Sequence, residues 1–349
     1  MQIISVSKRL IFIFVLSLFT ATAQAQTAPD LTFTSTTRIS PDTKAGLGAS
    51  AVVYNGEIYL AMQGMGTYYL TISKSTDGVH VTTTVYPNIV IEYAPSLVVF
   101  NNTLYIAYVD HRTASHGAVE LLSTTDGSTL NSAGTIYMPS GTGADVAASG
   151  PPTLVEYNDT LYAYWETDFT YTDPSFPNGS PSSYIRVAKM YSNDPSTWNV
   201  DVGECSTSPL NQTKAPTSHS AVGAAVFNNT LYVAYQRGTS TSANALLVCS
   251  GGYNYTEHTN INPEGGIAAV VFNGSLYFAF RGNTSKNIIN FTGTQDGLNF
   301  TTPSVPSGNG INGTSGYEIA PALLPFNNEL YVFTTANDNT HYLYSFHSN

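Results

Sequence analysis

The chain has 349 residues, a formal net charge of −11 and only 12 Lys and Arg, against 24 Tyr and 28 Gly. So acidic a composition argues against nucleic acid and anionic membrane surfaces as partners, since both reward dense positive charge. A surface of hydroxyls, amides and aromatics suits a glycan or another small polar ligand.

The first 25 residues read as an export signal. Lys8 and Arg9 precede the apolar run Leu10 to Phe19, and Ala23-Gln24-Ala25 is a small-residue cleavage site. The run is too short for a membrane-spanning helix. Cleavage takes the formal charge to −13 and delivers a secreted or periplasmic protein, expected as a monomer. Residues 26–349 are then one domain.

That domain repeats one phrase six times: an aromatic, an Asn, a second turn former, a variable residue, Leu or Ile, and Tyr. The clearest copy is Phe100-Asn101-Asn102-Thr103-Leu104-Tyr105. The others start at Tyr54, Tyr157, Phe227, Phe272 and Phe326. Asn-Gly and Asn-Asn tolerate the positive φ that a two-residue hairpin turn needs, and the flanking apolar runs have strand length. Each copy is therefore a β-hairpin. The hairpin asparagines, at 55, 101, 158, 228, 273 and 327, lie 45 to 70 residues apart. That is the period of a propeller blade lengthened by insertions.

Two further strand-like runs follow most hairpins, joined by a second recurrent turn. It reads Ser75-Thr76-Asp77-Gly78, Thr124-Thr125-Asp126-Gly127 and Thr294-Gln295-Asp296-Gly297, with Ser192-Asn193-Asp194-Pro195 as a variant. The last unit stops before its fourth strand, while Leu31 to Thr36 is a strand without a unit. The expected fold is an all-β six-bladed propeller, four antiparallel strands per blade, with the N-terminal strand closing the last blade.

The Asp-Gly turns resemble the Asp boxes of sialidases and related propellers, and Tyr108-Val109-Asp110-His111-Arg112 resembles the stretch carrying the sialidase acid/base Asp. The resemblance covers all six repeats. It implies a catalytic set of Asp110, Glu264 and Tyr317, with Arg281 as one carboxylate-binding arginine. That set is incomplete. Tyr93-Ala94-Pro95 stands where the family has Arg-Ile-Pro, Arg38-Ile39-Ser40-Pro41 lies one blade away, and no third arginine separates Arg281 from Tyr317.

Propeller topology brings the start of each first strand and the end of each second strand to one rim. There the chain places most of its scarce charge. Candidate ligand-binding residues are Arg112, Trp165, Glu166, His219, Arg237, Arg281 and Glu318, alongside Glu92, Tyr93, His111 and Asp168. An insertion from Asp168 to Ser182 adds Phe169, Tyr171 and Phe176. No cofactor or metal is expected, since no Cys/His cluster has zinc spacing and no calcium loop is present. Cys205 and Cys249 can pair in an oxidising compartment. The rim residues differ from blade to blade, which favours one asymmetric site. The first functional reading is a lectin-like carbohydrate-binding propeller. A sialidase-like exo-glycoside hydrolase with an altered substrate and a protein-interaction propeller are the alternatives.

Overall fold

The computed structural model describes residues 28–112, 118–136, 148, 150–171, 182–200, 220–239, 242–251, 254–282, 288–305, 320–335 and 340–348; for 167–171, 182–190, 200, 237–239, 242–244, 254 and 255 it describes the backbone alone. Six antiparallel sheets form six blades. Blade 1 follows β1 (Thr37–Arg38) and holds β2 (Ala45–Tyr54), β3 (Glu57–Gly64), β4 (Tyr69–Ser75) and β5 (Thr82–Val90). Blade 2 holds β6 (Ser96–Phe100), β7 (Thr103–Val109), β8 (Val119–Thr124) and β9 (Asn131–Ile136). Blade 3 holds β10 (Thr153–Tyr157), β11 (Thr160–Tyr171), β12 (Ser182–Asp194) and β13 (Thr197–Val200). Blade 4 holds β14 (Gly223–Phe227), β15 (Thr230–Thr239), β16 (Ser242–Ser250) and β17 (Asn254–His258). Blade 5 has β18 (Pro263–Phe272), β19 (Ser275–Gly282) and β20 (Ile289–Thr294), and a single bridge from Phe291 to Ser304 marks where its fourth strand would run. Blade 6 has β21 (Ala322–Phe326), β22 (Glu329–Thr335) and β23 (Leu343–His347).

The expected closure is present. β1 pairs antiparallel with β23, and Phe33 bridges Ser348. The paired strand is Thr37–Arg38, a few residues later than the sequence pattern places it.

All six hairpins turn as expected. Asn55 and Gly56 have φ of 51° and 79°, Asn101 and Asn102 of 48° and 57°, and the other four pairs are also positive at both central positions. These are type I′ turns. The second recurrent turn also keeps one geometry. In blade 2 the Thr124 hydroxyl accepts from Gly127 N–H (2.9 Å), while Asp126 Oδ1 accepts from Ser128 and Thr129 N–H (both 2.7 Å). Asp77 and Asp296 repeat that pattern.

The hydrophobic core is divided into layers, one at each junction between neighbouring blades. Hairpin and Asp-Gly turn interlock across these junctions. Gly127 of blade 2 approaches Tyr59 of blade 1 so closely that a Cβ there would lie 2.0 Å from the phenol oxygen. Gly78 meets Tyr331 in the same way, and Gly297 meets Tyr232. Glycine is needed twice over, for its positive φ and for its missing side chain. Blade 6 has no such turn to offer. There the N-terminal segment replaces it: Tyr277 donates to Pro29 O (2.9 Å), and Ala28 and Phe33 are buried between blades 5 and 6.

The inner strands β2, β6, β10, β14, β18 and β21 surround a central cavity of about 220 Å³. Small residues such as Ala51, Ala94, Pro152, Gly223, Ala269 and Pro321 line it, one from each blade. Neighbouring inner strands are stitched together there. Ser50 Oγ accepts from Leu97 N–H, Ser96 Oγ accepts from Leu154 N–H, and Thr153 donates to Val222 O.

Candidate functional site

Strand direction puts the hairpins and Asp-Gly turns at one end of the ring. The opposite end receives the connections between second and third strands and those between blades. β9 and β13 end toward it, and β11 ends there as well. A rigid scaffold with its long connections at one end is the common setting for a binding site.

The residue eight positions after each hairpin Asn lies in the second strand on its way to this rim. These are Gln63, Val109, Glu166, Gln236, Arg281 and Thr335, all buried. Gln63 Nε2 donates to Ile91 O (2.7 Å), and Gln236 Oε1 accepts from Gly265 N–H (2.7 Å). Glu166 Oε2 accepts from Ser220 N–H (2.7 Å). Each reaches the start of the next blade and fastens it. Glu166, expected as a ligand contact, is therefore a junction clamp with 0% exposure, in a register that holds glutamine in two other blades. Trp165, expected beside it, is 1% exposed and packs between blades 2 and 3. Its ring belongs to the core because the strand's alternation turns it into the junction.

Arg281 turns back to its own blade. Its Nε donates to Glu264 O (3.1 Å), and Nη2 lies 3.2 Å from Glu264 Oε2. The arginine side chain is 8% exposed and the glutamate 23%. Glu264 sits in an irregularity of β18 between Pro263 and Ile267, beside Gly265 at φ 106°. Such a bulge re-aims a side chain at the end of a strand.

On blade 2, Asp110 follows β7. Its Oδ1 accepts from the Arg112 backbone N–H (2.7 Å) and Nε (3.2 Å), and its Oδ2 from Nη2 (3.0 Å). Partial burial works to raise the Asp110 pKa, but the Arg112 hydrogen bonds and charge outweigh it and hold the carboxyl below its ordinary value. Blades 2 and 5 face each other in a ring of six. Asp110–Arg112 and Glu264–Arg281 are thus two carboxylate–guanidinium pairs on opposite sides of the rim.

Next to Asp110, the His111 ring contacts Glu92 through Nδ1 and stacks on Tyr68, with centroids 5.0 Å apart and planes 7° from parallel. Tyr68 was not legible as a rim residue. It is one of 24 tyrosines, and nothing in Met65-Gly66-Thr67-Tyr68-Tyr69 announces its backbone conformation.

His219, Tyr317 and Glu318 lie outside the described residues. Arg237 is in β15, one position beyond Gln236, and its side chain is outside the description, as are those of Asp168, Phe169 and Tyr171; Phe176 is wholly outside. Cys249 is buried and disulfide-bonded, and Cys205, the one other cysteine, lies outside the described residues. Among the described residues, no His, Cys, Asp and Glu cluster of three or more is placed to hold a metal, and no helix is long and apolar enough to cross a membrane.

No protein-family model matches the sequence, and no curated protein matches it closely enough to count as a relative. Solved structures do match the fold. The GH93 α-L-arabinofuranosidase of Fusarium graminearum, in complex with arabinobiose, aligns with a TM-score of 0.63 at 12% identity, over 91% of this chain and 98% of that one. The α-L-arabinanase of Penicillium chrysogenum, also with arabinobiose, gives 0.62 at 14%, over 93% and 98%. Trypanosoma rangeli sialidase with the inhibitor DANA gives 0.59 at 13%, over 88% of this chain and 55% of the sialidase. The chain thus spans little more than half of that sialidase. This protein shares their six-bladed fold.

Proposed function

We propose that the protein binds carbohydrate at a single composite site on the connection rim and leaves it intact. The observation that carries this reading is the pairing of both candidate catalytic carboxylates with arginines. A glycoside hydrolase needs one carboxyl held protonated, with a raised pKa, to serve as the acid. Asp110 is shifted the other way by Arg112. A carboxylate fixed by a guanidinium is instead a rigid acceptor that faces sugar hydroxyls in one orientation. The bound arabinobiose of two similar structures supports a neutral glycan as the ligand. With Arg281 committed to Glu264, a sialate carboxylate is the poorer fit. Export through the leader-like residues 1–25 belongs to the same proposal and places the site outside the cytoplasm.

One observation favours a second reading, an exo-glycoside hydrolase with an altered substrate. The likeness extends over 98% of an α-L-arabinanase and of an α-L-arabinofuranosidase, and Asp110 and Glu264 stand on opposed blades. A glycan array run beside a panel of aryl-glycosides, arabinofuranosides and sialosides included, separates the two. Binding without turnover is expected. Turnover that Asp110→Ala abolishes would replace the first reading with the second.

A further inference from the structure

Apart from the hairpin Asn and Asp residues, the described non-glycine residues with positive φ are Tyr68 (59°) and His341 (52°). Both stand just before the third strand of their blade. For a bulky side chain the left-handed region is unfavourable, and it persists only where surrounding contacts impose it. Those contacts are on hand for Tyr68. Its carbonyl accepts from Ile91 N–H (2.8 Å), and Ile91 O in turn accepts from the buried Gln63 amide. The preceding Thr67 N–H is tied to Gly64 O (3.2 Å).

The result is an aromatic ring held out at the rim. Tyr68 is 50% exposed, among the most exposed large apolar side chains described. One face rests on the His111 imidazole, which Glu92 holds from the side. Tyr68 comes from blade 1, and Glu92 and His111 from blade 2, so the platform exists only when the two blades are docked. Asp110 and Arg112 flank His111 in the chain and bring an acceptor and donors beside the platform.

We propose that Tyr68, supported by His111 and Glu92, is the platform on which the ring of a neutral sugar lies, with Asp110 and Arg112 taking its hydroxyls. This deepens the carbohydrate reading and rests on it. A tyrosine offers a large, rigid apolar face at low entropy cost, and the C–H face of a sugar is its natural complement. The strained backbone keeps that face turned to solvent, where a relaxed loop would let it fold onto the junction.

The experiment is a titration by NMR with arabinobiose, lactose and cellobiose as probes, on wild type, Tyr68→Gly and Tyr68→Phe, with a thermal melt of each. Glycine accepts the positive φ without strain, so Tyr68→Gly should melt close to wild type while losing about fivefold to tenfold in affinity. Tyr68→Phe keeps the ring and should bind as wild type does. If wild type binds one of the probes and Tyr68→Gly binds it equally well, the platform is wrong and the carbohydrate reading stands. If wild type binds none of the three, both fall.

Discussion

The two ends of the ring are built by different rules. At the hairpin end, three junctions repeat one device: a tyrosine of one blade against the Asp-Gly turn of the next. At the connection end, equivalent positions hold Gln63, Val109, Glu166, Gln236, Arg281 and Thr335; the glutamines and Glu166 clamp the next blade, while Arg281 turns back to its own. Repetition marks packing that junctions share. Its loss marks positions released for something else. Even at the irregular end, though, release is partial. Glu166 looks like a ligand group and serves as a clamp, while Glu264 and Asp110 are both tied to arginine.

The largest expected effect lies at the hairpin end. Tyr277 is 3% exposed, packs against Gly293 and Ala28, and bonds to Pro29 O. Tyr277→Ala opens a cavity between blades 5 and 6 and loosens the segment that closes the ring. It should cost about 3–5 kcal/mol, seen as a lower urea midpoint, while a glycan titration below the transition is unchanged. A melt like wild type's would mean that the hairpin tyrosines do not hold the junctions.

Arg281→Ala at the opposite end should reverse that balance. The sequence makes Arg281 a charged residue of the rim, where a lost charge is expected to cost little stability. Its burial corrects that: removal leaves a partly buried Glu264 carboxylate without its guanidinium, worth about 1–3 kcal/mol of stability. Glycan affinity should fall tenfold or more, a larger relative loss than the melt shows. Equal affinity in the variant would take Arg281 out of the site.

What could be read from the chain follows the same division. The hairpins were legible because Asn-Asn and Asn-Gly act locally, through the φ their own backbone accepts. The closing strand was legible from counting strands. Trp165 and Glu166 read as rim groups in the sequence because both faces of a blade are covered by neighbours, so that alternate residues of β11 enter one junction or the other and leave no polar-facing pattern. Tyr68 was invisible because its backbone conformation is held by a hydrogen bond from Ile91, more than twenty residues away. Long-range contacts of that kind leave no local pattern.

Acid separates the two ends most gently. Burial works to raise the carboxyls of Asp77 and Asp296, but hydrogen bonds from His80 and from Asn299 respectively outweigh it and hold both far below the ordinary value. Asp126 is exposed and is lowered chiefly by the backbone N–H of Thr129, then of Ser128. A carboxyl whose pKa is depressed in the folded state contributes stability that is fully present above the unfolded value of about 3.9. That contribution is lost as pH falls below it toward the folded pKa. Melting temperature should therefore hold from pH 7 to about 5 and decline below about 4. Replacing Asp77, Asp126 and Asp296 together by Asn keeps an oxygen for the turn amides and removes the charge. The triple variant should melt below wild type at pH 7, by less than Tyr277→Ala does, and show a shallower acid decline, so that the gap between the two curves narrows progressively as pH falls below about 4. Asp110→Asn at the rim removes a single lowered carboxyl of the same sign and should flatten the decline less. If the triple variant keeps the wild-type slope and Asp110→Asn does not, the acid-sensitive contacts lie at the connection end, and the assignment of stability to the repeated turns is wrong.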